Sequence, residues 1–114
     1  MDENPTIFIS HDSADQALAE ILREYLIRLV PAVDIFVSGA DIRGGKGWFE
    51  NLRSQLEASL VIIALMTRKS RTSPWVHFEA GSGFVPETTI PVCTDGVTKS
   101  DLDYPLRQLQ ARNL

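Results

Sequence analysis

The sequence has 114 residues, 44% of them hydrophobic, which is long and apolar enough for one folded domain with a buried core. Its formal net charge of −4 argues against a nucleic-acid partner, because phosphate backbones are bound by clustered Lys and Arg side chains. One cysteine and two histidines exclude an internal disulfide and argue against a metal site, so no metal or cofactor is predicted and the expected compartment is the cytoplasm. The longest mainly apolar run, residues 60–66, is far shorter than the ~20 residues of a membrane span.

The first half of the chain alternates between strand and helix patterns. Residues 6–10 (TIFIS) and 33–37 (VDIFV) are short β-branched and aromatic runs, and each predicts a strand. Between them, from Ser13 to the helix-ending Pro31, apolar residues recur with the period of a helix. They form one apolar stripe: Leu18, Ile21, Leu22, Tyr25, Leu26 and Leu29. Residues 38–47 then form a loop that is rich in glycine.

The second half continues the alternation. Residues 48–56 have the spacing of a second helix, and residues 60–65 (LVIIAL) are apolar without alternation, which is typical of a central parallel strand covered on both faces. A third helix spans residues 73–83, where a Ser-Pro pair starts the helix and glycines end it. Residues 88–93 predict a fourth strand, and residues 102–109 predict a final short helix.

This alternation predicts a single domain, residues 1–114, in which right-handed crossovers place helices on both faces of a parallel sheet. Ligands bind such sheets at the carboxyl ends of the strands, where the strand order reverses. For the order 2-1-3-4-5, that crevice lies between strands one and three. The loops at residues 10–13 and 67–73 line it, with the glycine loop 38–47 beside them. Because the chain stops just after a partly apolar segment, we expect either a domain cut from a longer protein or a short tail.

Two alternatives with related chemistry do not fit the sequence. A phospho-acceptor receiver domain needs an Asp at the end of strand three, where residues 65–67 are Leu-Met-Thr. The glycine loop has Ala40 in place of the leading Gly of a Walker loop, and Gly47 in place of the Ser or Thr that holds magnesium. The glycines instead offer mobility and exposed backbone amides to a ligand or to a partner chain.

Trp75 and Glu79 are the most informative pair, since a spacing of four places both on one face of the third helix, near the crevice. Composition alone favours a core position for Trp75 and a solvated surface charge for Glu79. His11, in the loop after strand one, is expected either to contact a ribose or a pyrophosphate or to face solvent. His77 is expected to be structural.

Six short motifs occur in order along nearly the whole chain. They are FISH at 8–11, FVS at 36–38, D-I-x-x-G-x-x-W at 41–48, Ser59, T-x-x-S-x-x-S-P-W-V-x-x-E at 67–79 and IPV at 90–92. In their order and spacing they resemble the Toll/interleukin receptor (TIR) domain family. The resemblance implies an α/β, flavodoxin-like fold, a three-layer sandwich around a central parallel sheet of order 2-1-3-4, and it leaves a fifth strand open.

Many bacterial members of this family, and some animal and plant members, cleave NAD⁺ with a catalytic glutamate in a W-x-x-x-E pattern. The resemblance implies that Glu79 is this catalytic residue and that NAD⁺ is a substrate rather than a cofactor. The substrate-binding residues that it implies are Trp75, Ser10, His11 and Gly45. It also implies self-association with other TIR domains, in which loop 38–47 of a neighbouring molecule helps to complete the site.

The residues present suit this chemistry. Nicotinamide in NAD⁺ is a cationic leaving group, so no general acid has to protonate it, unlike most glycoside hydrolysis, where two carboxyl groups share the work. The single carboxylate of Glu79 is then enough to hold a ribose hydroxyl and to stabilise an oxocarbenium-like transition state. Trp75 can stack on a ring near that centre.

The sequence therefore predicts an NAD⁺ hydrolase (NADase) that releases nicotinamide and forms ADP-ribose or its cyclic form. Its expected setting is a cytoplasmic antiviral or innate immune defence protein, in which a fused sensor or partner domain triggers oligomerisation. The alternative is a non-enzymatic TIR module that signals through protein–protein interaction, and a third hypothesis is a nucleoside-processing hydrolase or transferase. Trp75 and Glu79 favour the enzyme, since a scaffold has no chemical need for them.

Overall fold

The computed structural model describes residues 4–38, 47–84, 86–102 and 106–113. Within them the chain forms the strands β1 (Thr6–Ser10), β2 (Asp34–Val37), β3 (Ser59–Met66), β4 (Thr89–Cys93) and β5 (Arg112–Asn113). The α-helices are α1 (Gln16–Leu29), α2 (Trp48–Ala58) and α3 (Pro74–Gly81). Neighbouring strands are parallel, in the order β2-β1-β3-β4-β5. The flavodoxin-like fold is thus confirmed, and the fifth strand is present.

Alternation along β1 and β3 decides which helix each side chain meets. Phe8 packs against α2 on one face of the sheet, and its neighbour Ile9 packs against α1 on the other. The same period of two places Ile62 and Met66 of β3 on the face that α2 and α3 cover, and both are at most 1% exposed. Helices thus cover the middle of the sheet on both faces, as the apolar run in β3 predicts.

The amino end of β3 departs from this pattern. Ser59 and Val61 pair with consecutive residues of β1, so Leu60 is an extra residue in a β-bulge. β4 pairs with β3 only from Ile62 onward, so this end of β3 extends beyond its neighbour. The Leu60 side chain is 60% exposed, and the expected cover on both faces is therefore wrong for this residue.

The apolar stripe of α1 is only partly buried. Ala19 and Leu22 lie in the core, but Ile21, Tyr25 and Leu29 are between 60% and 66% exposed. A helix in an outer layer touches the sheet along one side only, and that side is centred nearer to Ala19 than to the middle of the stripe.

No helix in the described part of the chain is long and apolar enough to cross a membrane.

The prediction of a final helix over residues 102–109 is wrong for the described part of this segment, and residues 103–105 lie outside the described residues. The chain forms two 3₁₀ turns in this region, Lys99–Asp101 and Leu106–Gln108, and then β5. The sequence itself contains a sign against this helix, Pro105, because a proline inside a helix has no N–H to donate and clashes with the preceding turn. Three leucines of this segment are buried in the core: Leu102, Leu106 and Leu109.

The first of these turns contributes to stability in a pH-dependent way. The carboxylate of Asp101 accepts hydrogen bonds from the backbone N–H of Thr98, over 2.9 Å, and from its hydroxyl, over 3.2 Å. These bonds favour the ionised carboxylate and lower the pKa of Asp101 from its ordinary value of 3.8. A group whose pKa is lower in the folded state stabilises the fold only while it is ionised.

We predict that Asp101→Asn is less stable than the wild type at neutral pH. The difference should shrink as the pH falls from about 5 to about 2, because the wild-type carboxylate becomes protonated through its folded-state pKa and loses its advantage. Urea unfolding followed by circular dichroism at a series of pH values measures the difference. A difference that stays constant over this range would contradict the role of the ionised carboxylate.

Candidate active site

Glu79 lies in the second turn of α3 and has no exposed surface. The helix begins where the hydroxyl of Ser73 accepts a hydrogen bond from the backbone N–H of Val76, and Pro74 follows at the first helical position. The start of α3 is therefore well defined, and so is the direction in which Glu79 projects. The alternative of a solvated surface charge at Glu79 is wrong.

Two serine hydroxyls bind the carboxylate of Glu79. Ser10, the last residue of β1, donates to Oε1, and Ser38, directly after β2, donates to Oε2, each over 2.5 Å. Both serines are at most 1% exposed. A carboxylate that leaves water needs such donors, because an unpaired buried charge costs far more than a buried neutral group. The two serines therefore make the buried position of Glu79 possible.

The parallel register of β1 and β2 explains why these two serines meet one carboxylate. Phe8 pairs with Phe36, and the centroids of their stacked rings are 5.2 Å apart. Because side chains alternate along a strand, the residues two positions further on, Ser10 and Ser38, lie side by side on the same face. That is the face that α3 covers, so Glu79 reaches both hydroxyls at the carboxyl edge of the sheet.

Trp75 is joined to this cluster through Ser38. Its indole Nε1–H donates to the hydroxyl of Ser38 over 3.4 Å, so Trp75, Ser38 and Glu79 are connected in series. Trp75 is half-buried, and its ring contacts those of Trp48 and Phe78, with centroids 6.0 and 5.7 Å apart. The W-x-x-x-E spacing thus places both of its side chains beside Ser38, one turn of α3 apart.

The structure brings together three of the predicted site residues: Glu79, Trp75 and Ser10. Gly45 lies outside the described residues. So does the rest of segment 39–46, which forms most of the loop that is expected to mediate self-association. His11 follows Ser10 directly and is 4% exposed, so the expectation that it faces solvent is wrong. His77 has the structural role expected of it, since its Nε2 lies 2.7 Å from the backbone oxygen of Arg71.

Ser38 is a candidate functional residue that sequence reasoning missed. In the sequence Ser38 ends the FVS motif at 36–38 and begins the glycine loop, but no role in the site is predicted for it. Strand register is the signal that could have found it. If Phe8 and Phe36 are paired in parallel strands, Ser10 and Ser38 must be neighbours.

The loop after β3 is bound to the turn after β1, so both sides of the predicted crevice are tied together. The hydroxyl of Thr67 donates to the carboxylate of Asp15 over 2.6 Å. Ser70 donates through its hydroxyl to the backbone oxygen of Leu65, also over 2.6 Å. Thr67 and Ser70 are both buried, and these bonds fix the end of β3 beside the end of β1.

Cys93 is buried at the end of β4 and is not a reactive thiol. Burial raises the pKa of the Cys93 thiol, and the carboxylate of Asp101 raises it further, so the nucleophilic thiolate is disfavoured. Among the described residues, His, Cys, Asp and Glu side chains form no group of three that could hold a metal ion. The carboxylate of Glu79, which is buried and bound by two serine hydroxyls, is the centre of the candidate site.

The fold and the site together define a class of protein. An open parallel sheet of order 2-1-3-4-5, with a buried carboxylate and two serine hydroxyls where the strand order reverses, is a flavodoxin-like α/β domain with a polar cluster at its switch point. A family model for the TIR domain matches residues 7–114, and the chain belongs to this family. The TIR family includes NAD-cleaving enzymes, and its domains generally associate with one another. No curated protein matches the sequence significantly.

We predict that Ser38→Ala lowers the free energy of unfolding by about 1–3 kcal/mol, because it removes a donor from a buried carboxylate oxygen. Ser54→Ala is the matched control, since Ser54 is an exposed serine of α2, and it should change the stability by less than about 0.5 kcal/mol. Urea unfolding followed by circular dichroism measures both variants. If Ser38→Ala is as stable as the control, the bond from Ser38 to Glu79 does not support the buried carboxylate.

Proposed function

We propose that this chain is an NAD⁺-cleaving TIR domain with Glu79 as its catalytic residue. One observation carries the proposal: a fully buried carboxylate lies at the carboxyl ends of β1 and β2, bound by the hydroxyls of Ser10 and Ser38. Burying a charge is costly, and this one lies at the edge of the sheet where ligands of open α/β domains bind. Membership of a family that includes NAD-cleaving enzymes supports the same function.

Contact between NAD⁺ and Glu79 requires an exchange of hydrogen bonds. A ribose hydroxyl is a donor of the same kind as a serine hydroxyl, so it can replace one serine without leaving a carboxylate oxygen unpaired. Ser38 is the residue that we expect to be replaced, since it lies beyond the end of β2. Ser10 is held more firmly, because it pairs with Ala64 in the centre of the sheet.

The reaction breaks the bond between C1′ of the ribose and the ring nitrogen of nicotinamide. Both electrons of that bond go to the nitrogen, which becomes neutral, and C1′ becomes an oxocarbenium-like cation. Glu79 stabilises the cation electrostatically, and this stabilisation is strong because the carboxylate is shielded from bulk water. Water then adds to C1′ and loses a proton, which gives ADP-ribose, or an internal nucleophile adds and gives the cyclic form.

Trp75 is proposed to hold an aromatic ring of the substrate. It belongs to a cluster of four aromatic rings, each of which contacts two of the others: Trp48, Phe49, Trp75 and Phe78. Phe49 and Phe78 are 44% and 48% exposed, so the cluster reaches from the surface to the hydroxyl of Ser38. Offset stacking on such rings suits nicotinamide next to the breaking bond.

Activity is proposed to depend on self-assembly through loop 38–47. The first residue of this loop, Ser38, donates to the carboxylate of Glu79, so a neighbouring molecule that contacts the loop acts on a residue bound to the catalytic group. The proposed setting is a cytoplasmic antiphage or innate immune defence protein. A fused or separate sensor domain would bring the TIR domains together there.

A non-enzymatic interaction module is the second candidate function. The row of exposed apolar side chains on α1, formed by Ile21, Tyr25 and Leu29, favours it, because apolar groups exposed side by side often mark contact surfaces. The buried carboxylate favours the enzyme, since an interaction surface gains nothing from a charge that it cannot present. Activity measurements separate the two.

We predict that Glu79→Gln lowers the rate of nicotinamide release from NAD⁺ at least about 100-fold. Glutamine has the same shape and keeps an amide oxygen that accepts a hydrogen bond, but it has no negative charge to stabilise the cation at C1′. The measurement is chromatographic detection of nicotinamide at rising concentrations of the purified chain, because assembly is expected to be required.

The matched control is Glu57→Gln, which removes an exposed carboxylate of α2 and should keep the wild-type rate. Wild-type release by Glu79→Gln would show that Glu79 is not the catalytic residue. If the wild-type chain releases no nicotinamide even when it is assembled, the enzymatic function is wrong and the interaction module is favoured.

A further inference from the structure

An apolar groove lies between α2 and α3, on the outer side of the aromatic cluster. Its volume is about 360 Å³, and the buried side chains Leu52 and Leu56 form its base. The rings of Phe49 and Phe78 border it, with centroids 6.3 Å apart, and they are 44% and 48% exposed. Large apolar rings that stay exposed beside an apolar groove are typical of a contact surface.

The exposed row of α1, formed by Ile21, Tyr25 and Leu29, is a second apolar surface, and its shape suits an aromatic ring. Leu18, Ile21, Leu22 and Tyr25 surround a hollow of about 340 Å³. Their positions are i, i+3, i+4 and i+7, which is the spacing of the four side chains that form a hole for a side chain of a facing helix. An exposed phenylalanine beside the groove is a suitable side chain to enter it.

The α1 row and the groove lie on opposite faces of the sheet. α1 packs on the face of Ile9, whereas α2 and α3 lie on the face of Phe8. A chain therefore cannot bring its own α1 row into its own groove. Both α1 and α2 return the chain from the carboxyl end of one strand to the amino end of the next parallel strand, so the two helices run in the same direction. A second copy in the same orientation, displaced perpendicular to the sheet, places its α1 parallel to α2.

Charged side chains at the two surfaces favour the same parallel direction. Along α1, Glu24 precedes Arg28 by about one turn, and along α2, Arg53 precedes Glu57 by about one turn. Arg53 and Glu57 line the groove. If the helices are parallel, Glu24 meets Arg53 and Arg28 meets Glu57. If they are antiparallel, each charge meets a charge of the same sign.

These charges remain available to a second molecule. Within one chain, Arg53 lies 3.4 Å from Glu57, and Arg23 lies 3.3 Å from Glu24. All four side chains are at least 38% exposed, and exposed pairs of this kind contribute little to stability. Complementary charges select the partner and its direction, while the apolar contact supplies most of the affinity.

We propose that the α1 row of one molecule binds the groove between α2 and α3 of a second copy of this chain, with the helices parallel. Each molecule uses a different surface, so a pair of molecules still has one free row and one free groove. The contact can therefore repeat, and it builds an open row of domains instead of a closed dimer. It goes beyond the proposed function, because it involves neither Glu79 nor loop 38–47 and does not require NAD⁺ cleavage.

Two variants, each with one surface blocked, test this contact. Leu29→Glu places a charge on the α1 row, and Phe49→Glu places one beside the groove. Sedimentation velocity up to about 1 mM protein detects contacts of millimolar affinity. We expect oligomers of the wild type that grow with concentration, and association of each variant alone that is at least about tenfold weaker. An equimolar mixture of the two variants should form a dimer and nothing larger, since only one row and one groove remain intact.

Leu60→Glu is the matched control. Leu60 is the same residue type as Leu29, both are 60% exposed, and Leu60 lies at the amino end of β3, outside both surfaces. It should associate like the wild type. Circular dichroism checks the fold of every variant. If Leu29→Glu does not fold, Tyr25→Ser removes an exposed ring of the row without adding a charge, and it should also weaken association.

Charge reversal tests the direction of the helices. Glu24→Arg and Arg53→Glu should each weaken association about fivefold, because each places like charges together. The double variant restores an opposite pair and should recover most of the wild-type affinity. Stronger association of Glu24→Arg would show that the helices are antiparallel, and no recovery in the double variant would show that these two residues do not meet. Either result overturns the proposed contact.

Three further outcomes overturn it. They are a wild type that stays monomeric at about 1 mM, which excludes even millimolar affinity, a Phe49→Glu variant that associates like the wild type, and a Leu60→Glu variant that is weakened as much as Leu29→Glu. Association is measured without NAD⁺, so it is independent of nicotinamide release. A chain that releases nicotinamide but lacks this contact contradicts the contact alone. A chain that forms the contact but releases no nicotinamide when assembled contradicts the proposed function alone.

Discussion

A carboxylate without exposed surface must take its hydrogen bonds from the protein, and this requirement determines how the end of the sheet is built. Glu79 receives one hydroxyl from the end of β1 and one from the residue after β2. Three elements that are distant in the sequence are therefore held in one arrangement by a single charged group. In the proposed function a hydroxyl of the ligand replaces that of Ser38, so the carboxylate exchanges one hydroxyl donor for another.

β1 shows how one short strand serves both stability and function. Phe8 and Ile9 are completely buried and pack against helices on opposite faces of the sheet. Ser10 and His11, which follow directly, are also buried but polar, and their hydrogen bonds go to Glu79 and to the next turn. The change from apolar to polar side chains falls at the carboxyl edge of the sheet, which is where an open α/β domain binds its ligands.

Ser38 belongs both to the proposed catalytic site and to the loop that is proposed to mediate self-association. It contacts the carboxylate of Glu79 and the indole of Trp75, and it is also the first residue of loop 38–47. A ligand ring beside Trp75, a ribose hydroxyl at Glu79 and a neighbouring molecule at the loop would all act on this one hydroxyl. In the proposed mechanism, a contact between a neighbouring molecule and the loop would therefore affect the carboxylate of Glu79 through a single residue, Ser38.

The sequence by itself determined the order of strands and helices from β1 to β4, the α/β class and the W-x-x-x-E pair, because apolar periods, helix caps and i, i+4 spacing are local properties of the chain. It also contained the sign against a final helix, Pro105, which the prediction of that helix did not take into account. The burial of Glu79, the role of Ser38 and the exposed side of α1 were decided only by the tertiary structure. Ser10 and Glu79 are 69 positions apart, and strand pairing and helix packing, which no local pattern encodes, bring them within 2.5 Å.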